Sequence, residues 1–177
     1  MGNCLSPAEP PKVTYAICQL EPSGNSNVTG LVKFVQVEGG KTIINAKIQG
    51  LKAGKHGFHI HEYGNLIDGC ISAGAHYNPF KKDHGGPNDE TRHVGDMGNI
   101  ESDGESAILV YEDSTIQLTG PYRIIGRSVV VHADEDDLGK GGFPDSKTTG
   151  HAGARLACGV IGISAPFEFE DPNKRKI

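Results

Sequence analysis

The chain has no tryptophan and only two methionines among its 177 residues. No apolar run approaches bilayer length, so no segment reads as a transmembrane helix. Helical periodicity is missing too: no long stretch repeats apolar residues at i, i+3, i+4 and i+7, which excludes a helical bundle. The opening residues show no basic cluster followed by an apolar stretch, which argues against a secretory signal. Basic residues are in deficit, 17 Lys and Arg against 22 Asp and Glu, a net charge of −5. That balance excludes a non-specific nucleic-acid partner. Cysteine is scarce (Cys4, Cys18, Cys70 and Cys158) and never spaced C-x-x-C. Four cysteines at this length do not make a disulfide scaffold. Without an export signal, the residues by themselves point to the cytoplasm and to free thiols.

What is present is glycine, 25 of it, between short β-branched runs: VTYAI, LVKFVQV, KTIINAKI and RSVVVH. Strands are expected near 12–21, 28–37, 41–49, 55–62, 94–101, 105–112 and 115–119, through RSVVVHA, and near 156–164. In the first of these, Ala16, Cys18 and Leu20 share a face, so Cys18 reads as a small buried hydrophobe. The expected fold is all-β: an eight-stranded antiparallel Greek-key barrel, with the layered architecture of an immunoglobulin-like sandwich and two long functional loops. The loops span about 63–93 and 133–154, longer than a compact domain usually tolerates without a function. The proline-rich residues 1–11 read as a flexible arm, 12–164 as the domain, and 165–177 as a loosely held polar tail.

Histidine is concentrated. HGFHIHEYG, residues 56–64, holds three of the eight. On a strand, His59 and His61 project from one face, and His56 from the other. Such a pair either packs structurally or ligates a metal. The first long loop then adds His76, His84 and His93, with Asp96 just beyond. Three imidazoles and a carboxylate suit tetrahedral zinc, and binding the ion would help order the loop. His132 ends RSVVVH, placed to approach His59 and His61, and an imidazole-rich nitrogen set suits copper(II).

GFHIHEYG, GAHYNP, DHGGP, RHVGDMGNI, VVVHADEDDLGKGG and GHAGARLACGVIGI together resemble the copper/zinc superoxide dismutase family, over about residues 13–164. The resemblance implies copper on His59, His61, His76 and His132, and zinc on His76, His84, His93 and Asp96, with His76 bridging. It implies that Asp136 links His59 to His84, that Arg155 attracts the anionic substrate, and that Cys70 and Cys158 form a disulfide in place of two free thiols. It also implies disproportionation of superoxide, a homodimer through Tyr63, Ile125, Val160 and Ile163, and a copper chaperone for loading. Lys140 and Lys147 are candidates for steering the anion, and Thr149 for narrowing its channel. The electrostatic loop departs from the family pattern: FPDSKTTGH has Pro144 and Asp145 in place of an acidic pair, and His151 in place of an uncharged residue. Asn65 and Gln19 depart as well. The alternative is a copper chaperone or metal-storage module on the same fold, against which stand the complete ligand set and the absence of C-x-x-C.

MGNCLS fits the N-myristoylation pattern at Gly2, with Cys4 available for palmitate. Two acyl chains would anchor the protein peripherally to a membrane. Pro7 stands against recognition of that pattern, and an unmodified arm is the other reading.

Overall fold

A computed structural model describes residues 11–168. Its strands are β1 (Val13–Pro22), β2 (Thr29–Val37), β3 (Thr42–Gln49), β4 (Gly54–His61), β5 (Asp96–Ser102), β6 (Ser106–Asp113), β7 (Ser128–His132), β8 (Arg155–Val160) and β9 (Gly162–Ile163). Helix among the described residues is limited to a 3-10 turn, Gly69–Ala73, and one turn of α-helix, α1 (Ser146–Thr149). The strand order β2-β3-β6-β5-β4-β7-β8-β1 closes when β1 pairs with β2, giving an eight-stranded antiparallel barrel with β9 added beside β1. The neighbours β3–β6 and β4–β7 are not consecutive in sequence, and these are the Greek-key crossings.

Alternation makes the barrel. In β3, Thr42, Ile44, Ala46 and Ile48 are buried, while the residues between them are more exposed. Ile44, Ala46 and Ile48 meet Ala16, Cys18, Leu20, Val32 and Phe34 in one apolar core with Phe58, Ile60, Ile100, Val129 and Val131. Burying each large side chain of this set stabilises the fold by about 1.5–3 kcal/mol. Cys18 is the buried free thiol expected, and burial pushes its pKa up to about 12, so it stays protonated.

Strand β4 breaks the alternation, being buried at every position from His56 to His61. Phe58 and Ile60 face the core, while the long loops cover the opposite face, which carries His59 and His61. A register shift between Gly57 and His59 marks a bulge. A Cβ at Gly57 would lie 2.6 Å from Ala152 Cβ and 3.0 Å from His59 Cε1, so glycine lets the second loop close on this strand.

One expectation needs correction. Residues 115–119 form no strand. Ile116 and Leu118 are buried as their alternation implies, but side chains rather than a neighbouring strand satisfy their backbone. Thr42 Oγ1 donates to the Ile116 carbonyl (2.7 Å), Leu118 N donates to Gln36 Oε1 (2.8 Å), and Ile116 N donates to Asp113 Oδ1 (2.9 Å). Beyond β9, Phe167 packs edge-on against Tyr15, ring centroids 5.1 Å apart, with Lys33 Nζ 5.3 Å from the Phe167 ring centroid. Gly2 and Cys4 lie outside the described residues.

Candidate metal centre

The first long loop is held by backbone pairing along the end of β4. Glu62 N donates to Ala75 O, Tyr77 N to Ile60 O and Ile60 N to Gly95 O, each at 2.8 Å. An isolated antiparallel bridge sets His76 opposite His61. The Cys70–Cys158 disulfide, Cα atoms 5.6 Å apart, fastens the same loop to β8. The second loop closes from the other side, where His84 N donates to Lys147 O at 2.9 Å.

Two buried donor groups result. In one, His59, His61, His76 and His132 bring one ring nitrogen each within 4.8 Å of the others; in the other, a ring nitrogen each of His76, His84 and His93 and a carboxylate oxygen of Asp96 lie equally close. His76 belongs to both. The hydrogen bonds decide which nitrogen remains for ligation. His59 Nε2 donates to Asp136 Oδ2 (2.8 Å), His61 Nδ1 to the Gly74 carbonyl (2.9 Å) and His132 Nδ1 to the Gly153 carbonyl (3.2 Å). Lone pairs therefore remain on His59 Nδ1, His61 Nε2 and His132 Nε2. The last two stand 3.4 Å apart with no proton to share, a contact that a cation between them would relieve. His76 Nδ1 lies 2.9 Å from Asp96 Oδ1, while its Nε2 is buried without a hydrogen-bond partner, as is His59 Nδ1. In the second group, His84 Nδ1 and His93 Nδ1 lie 3.0 and 3.1 Å from Asp96 Oδ1. His84 Nδ1 makes no hydrogen bond there. Orphaned, converging imidazole nitrogens fit a nitrogen-bound copper, and three imidazoles with one carboxylate fit zinc.

Asp136 joins the groups. Its Oδ2 accepts from His59 and its Oδ1 from His84 Nε2, both at 2.8 Å. Asn99 holds Asp136 in turn: Asn99 Nδ2 donates to its carbonyl (2.8 Å) and Asp136 N donates to Asn99 Oδ1 (2.7 Å). Arg92 holds Asp96 through its carbonyl at 2.5 Å while pairing with Asp113 at 2.6 Å, all three residues buried. Sequence reasoning missed both Asn99 and Arg92, because neither belongs to a recognisable ligand type and their partners lie on other elements or across a turn.

Burial pushes the imidazoles of His59 and His61 well below their ordinary pKa, and that of His132 to about 3, so all three are neutral and able to ligate. Burial lowers His76 as well. Burial alone would lower His84, but the Asp136 and Asp96 carboxylates lift it to about 9. Burial alone would raise Asp96, but the imidazoles of His76, His84 and His93 beside it hold it well below the usual carboxylate range. The group around Asp96 thus demands positive charge, from a proton or from a cation.

His56 is no part of either group. Its Nδ1 lies 2.9 Å from the His132 carbonyl and its Nε2 3.1 Å from that of Lys52, a structural pairing with the strand-end backbone. Arg155 is half-buried beside the first group, where Nη1 donates to Cys70 O and Nη2 to Gly74 O, both at 2.7 Å. Thr149 is exposed in α1, with its hydroxyl donating to Asp145 Oδ2 at 3.0 Å. Lys140 pairs with Asp89 at 3.0 Å, and Lys147 is exposed beside it in the chain fold. His151 bonds Asp145 at 2.7 Å and stacks on Phe143, centroids 3.9 Å apart.

Residues 28–161 match the copper/zinc superoxide dismutase family. Superoxide dismutase [Cu-Zn] 5 of Dictyostelium discoideum is 55% identical over 151 residues, 84% of this chain and 97% of that protein. The extracellular superoxide dismutase [Cu-Zn] of Drosophila melanogaster is 58% identical over 153 residues, 85% of this chain and 84% of that one. Superoxide dismutase [Cu-Zn] 3 of Arabidopsis thaliana is 53% identical over 145 residues, 81% and 88% of the two chains. With the match running through most of the barrel and across both donor groups, the chain belongs to the copper/zinc superoxide dismutase family.

Proposed function

We propose that the protein disproportionates superoxide, two superoxide anions and two protons giving dioxygen and hydrogen peroxide. Copper would be held by His59, His61, His76 and His132, and zinc by His76, His84, His93 and Asp96. The observation that carries this reading is His76: one ring, buried between two donor groups, with Nδ1 in one and an unpartnered Nε2 facing the other. When bound, copper supplies reversible one-electron transfer to and from superoxide, and zinc supplies fixed charge without redox chemistry.

The chain's own residues do the rest. Arg155 docks the anion: Nη1 is anchored to the Cys70 and Ile71 carbonyls and Nη2 to that of Gly74, while its remaining donors are left for a small oxyanion. His76 Nε2 is the atom placed to take up a proton and pass it to the departing peroxide. Asp136 orients His59 and His84 and raises the basicity of both rings. Lys147 and Lys140 would draw the anion toward the site, with Lys140 partly offset by Asp89, and Thr149 would narrow the approach. Metal content and superoxide consumption, measured before and after chelation, test the reading. Full activity at one copper and one zinc per chain, lost on chelation, is expected; a fully loaded but inactive protein would favour storage instead.

The same reading extends to partners. Tyr63, Val160 and Ile163 are exposed at 53%, 43% and 77%, and Ile125 is partly buried, an apolar set suited to a C2 homodimer. A copper chaperone would deliver the metal. The cytoplasm is the proposed location, with acylation at Gly2 and Cys4 adding peripheral membrane attachment. Intact mass of protein from its native host decides that last point: no lipid mass on Gly2 ends it.

A further inference from the structure

We infer that Arg127 is a positioning residue for His76, acting through the ring of Tyr77. The inference rests on the reading of His76 as the ligand shared by both metals. Arg127 Cζ sits 3.5 Å from the centroid of the Tyr77 ring, a close cation–π stack. Tyr77 directly follows His76, and its ring is buried. The Tyr77 backbone is pinned on both sides, with N donating to Ile60 O at 2.8 Å and O accepting from Gly95 N at 3.0 Å. The ring is the remaining handle on this residue, and Arg127 closes over it.

The guanidinium also reaches the other ligand-bearing elements. Nη1 donates to the Glu62 carbonyl at 2.7 Å, one residue after His61, and Nε donates to Arg123 O at 3.2 Å. Arg127 immediately precedes β7, the strand that ends in His132. One side chain thus ties together the segments that present His61, His76 and His132. A planar, delocalised cation suits this work, because it stacks on the ring and donates in its plane at the same time. Lysine can place a charge over the ring but cannot do both with fixed geometry.

The test uses the full chain loaded with copper and zinc, and reads the Cu(II) electron paramagnetic resonance spectrum and the rate of zinc loss to a chelator. Expected in R127Q are an altered copper spectrum and zinc release about tenfold faster, the lower end of what loss of a ligand-supporting partner costs. R127K should fall between R127Q and wild type. Y77L should reproduce R127Q, Y77F should resemble wild type, and R127Q/Y77L should be no worse than Y77L alone. V32A, a truncation in β2, which pairs with neither β4 nor β7, serves as the control that loses stability without touching the loop. Wild-type release and spectrum in R127Q, or the same changes in V32A at an equal loss of thermal stability, would overturn the role of Arg127. A wild-type copper spectrum indifferent to removal of zinc would overturn the shared ligand itself, and the inference with it.

Discussion

Arg155 and His61 share one acceptor: Arg155 Nη2 lies 2.7 Å and His61 Nδ1 2.9 Å from the Gly74 carbonyl oxygen. The group proposed to dock the anion and a group proposed to hold copper are therefore indexed to the same peptide. The disulfide at Cys70, whose carbonyl also receives Arg155, keeps that peptide in place.

Replacing Arg155 by Gln should lower kcat/KM by about tenfold or more, the worth of a charge-assisted contact to the anion. Metal content should stay the same. The wild-type rate should fall as salt rises, and the slope should flatten in R155Q. Superoxide consumption over a series of ionic strengths checks this; a flat wild-type profile would sink local steering.

The disulfide closes a span of 88 residues. In the chain-entropy model its loss costs about 4–5 kcal/mol. C70S/C158S should unfold at markedly lower denaturant than wild type. Its kcat/KM should also fall, because the Arg155 acceptors come free. Denaturant titration and a rate measurement on the same preparation separate the two effects.

Asp136→Asn keeps the shape of the link but removes the charge, and supplies an amide where the rings need an acceptor. Zinc affinity should drop about 10- to 100-fold, with copper retained more nearly intact. Competition with a chromogenic zinc chelator reads the change directly.

For metal-free protein, stability should be greatest near neutral pH. His132, pushed down to about 3, and His59 and His61, also lowered, contribute stability that is present above the unfolded histidine value and lost as pH falls through their folded values. His84, lifted to about 9, contributes stability that is full below the unfolded value and lost as pH rises toward 9. Melting temperature against pH should thus decline on both sides, and metal should flatten the profile. Zinc uptake should release a proton from His84 near pH 7, which a weakly buffered titration would register.

His56→Ala should reduce stability by about 1–3 kcal/mol, since a buried carbonyl, that of His132 or of Lys52, loses its donor and the buried ring is removed. Copper stoichiometry should remain one per chain. Copper loss at unchanged stability would instead make His56 a ligand.

Much of this was legible in one dimension. Alternation located β1 to β6 to within two residues, because an inward and outward period is written into each strand. Spacing by two set His59 and His61 on one face and His56 on the other, and the packing of histidines into one loop marked where charge had to gather. The same alternation misled at 115–119, because it reports burial and not which group satisfies the backbone: Gln36, Thr42 and Asp113 do so there.

Tertiary structure alone decided the rest. Which nitrogen of each imidazole faces the metal depends on carbonyls of Gly74 and Gly153 and on Asp136, residues up to 77 positions away from the ring they orient. Asn99, Arg92 and Arg127 acquire their work only when folding brings loop backbone against them. Composition and period record what a residue prefers, while hydrogen-bond direction and the stacking of Arg127 on Tyr77 are set by closure of the barrel and its two loops.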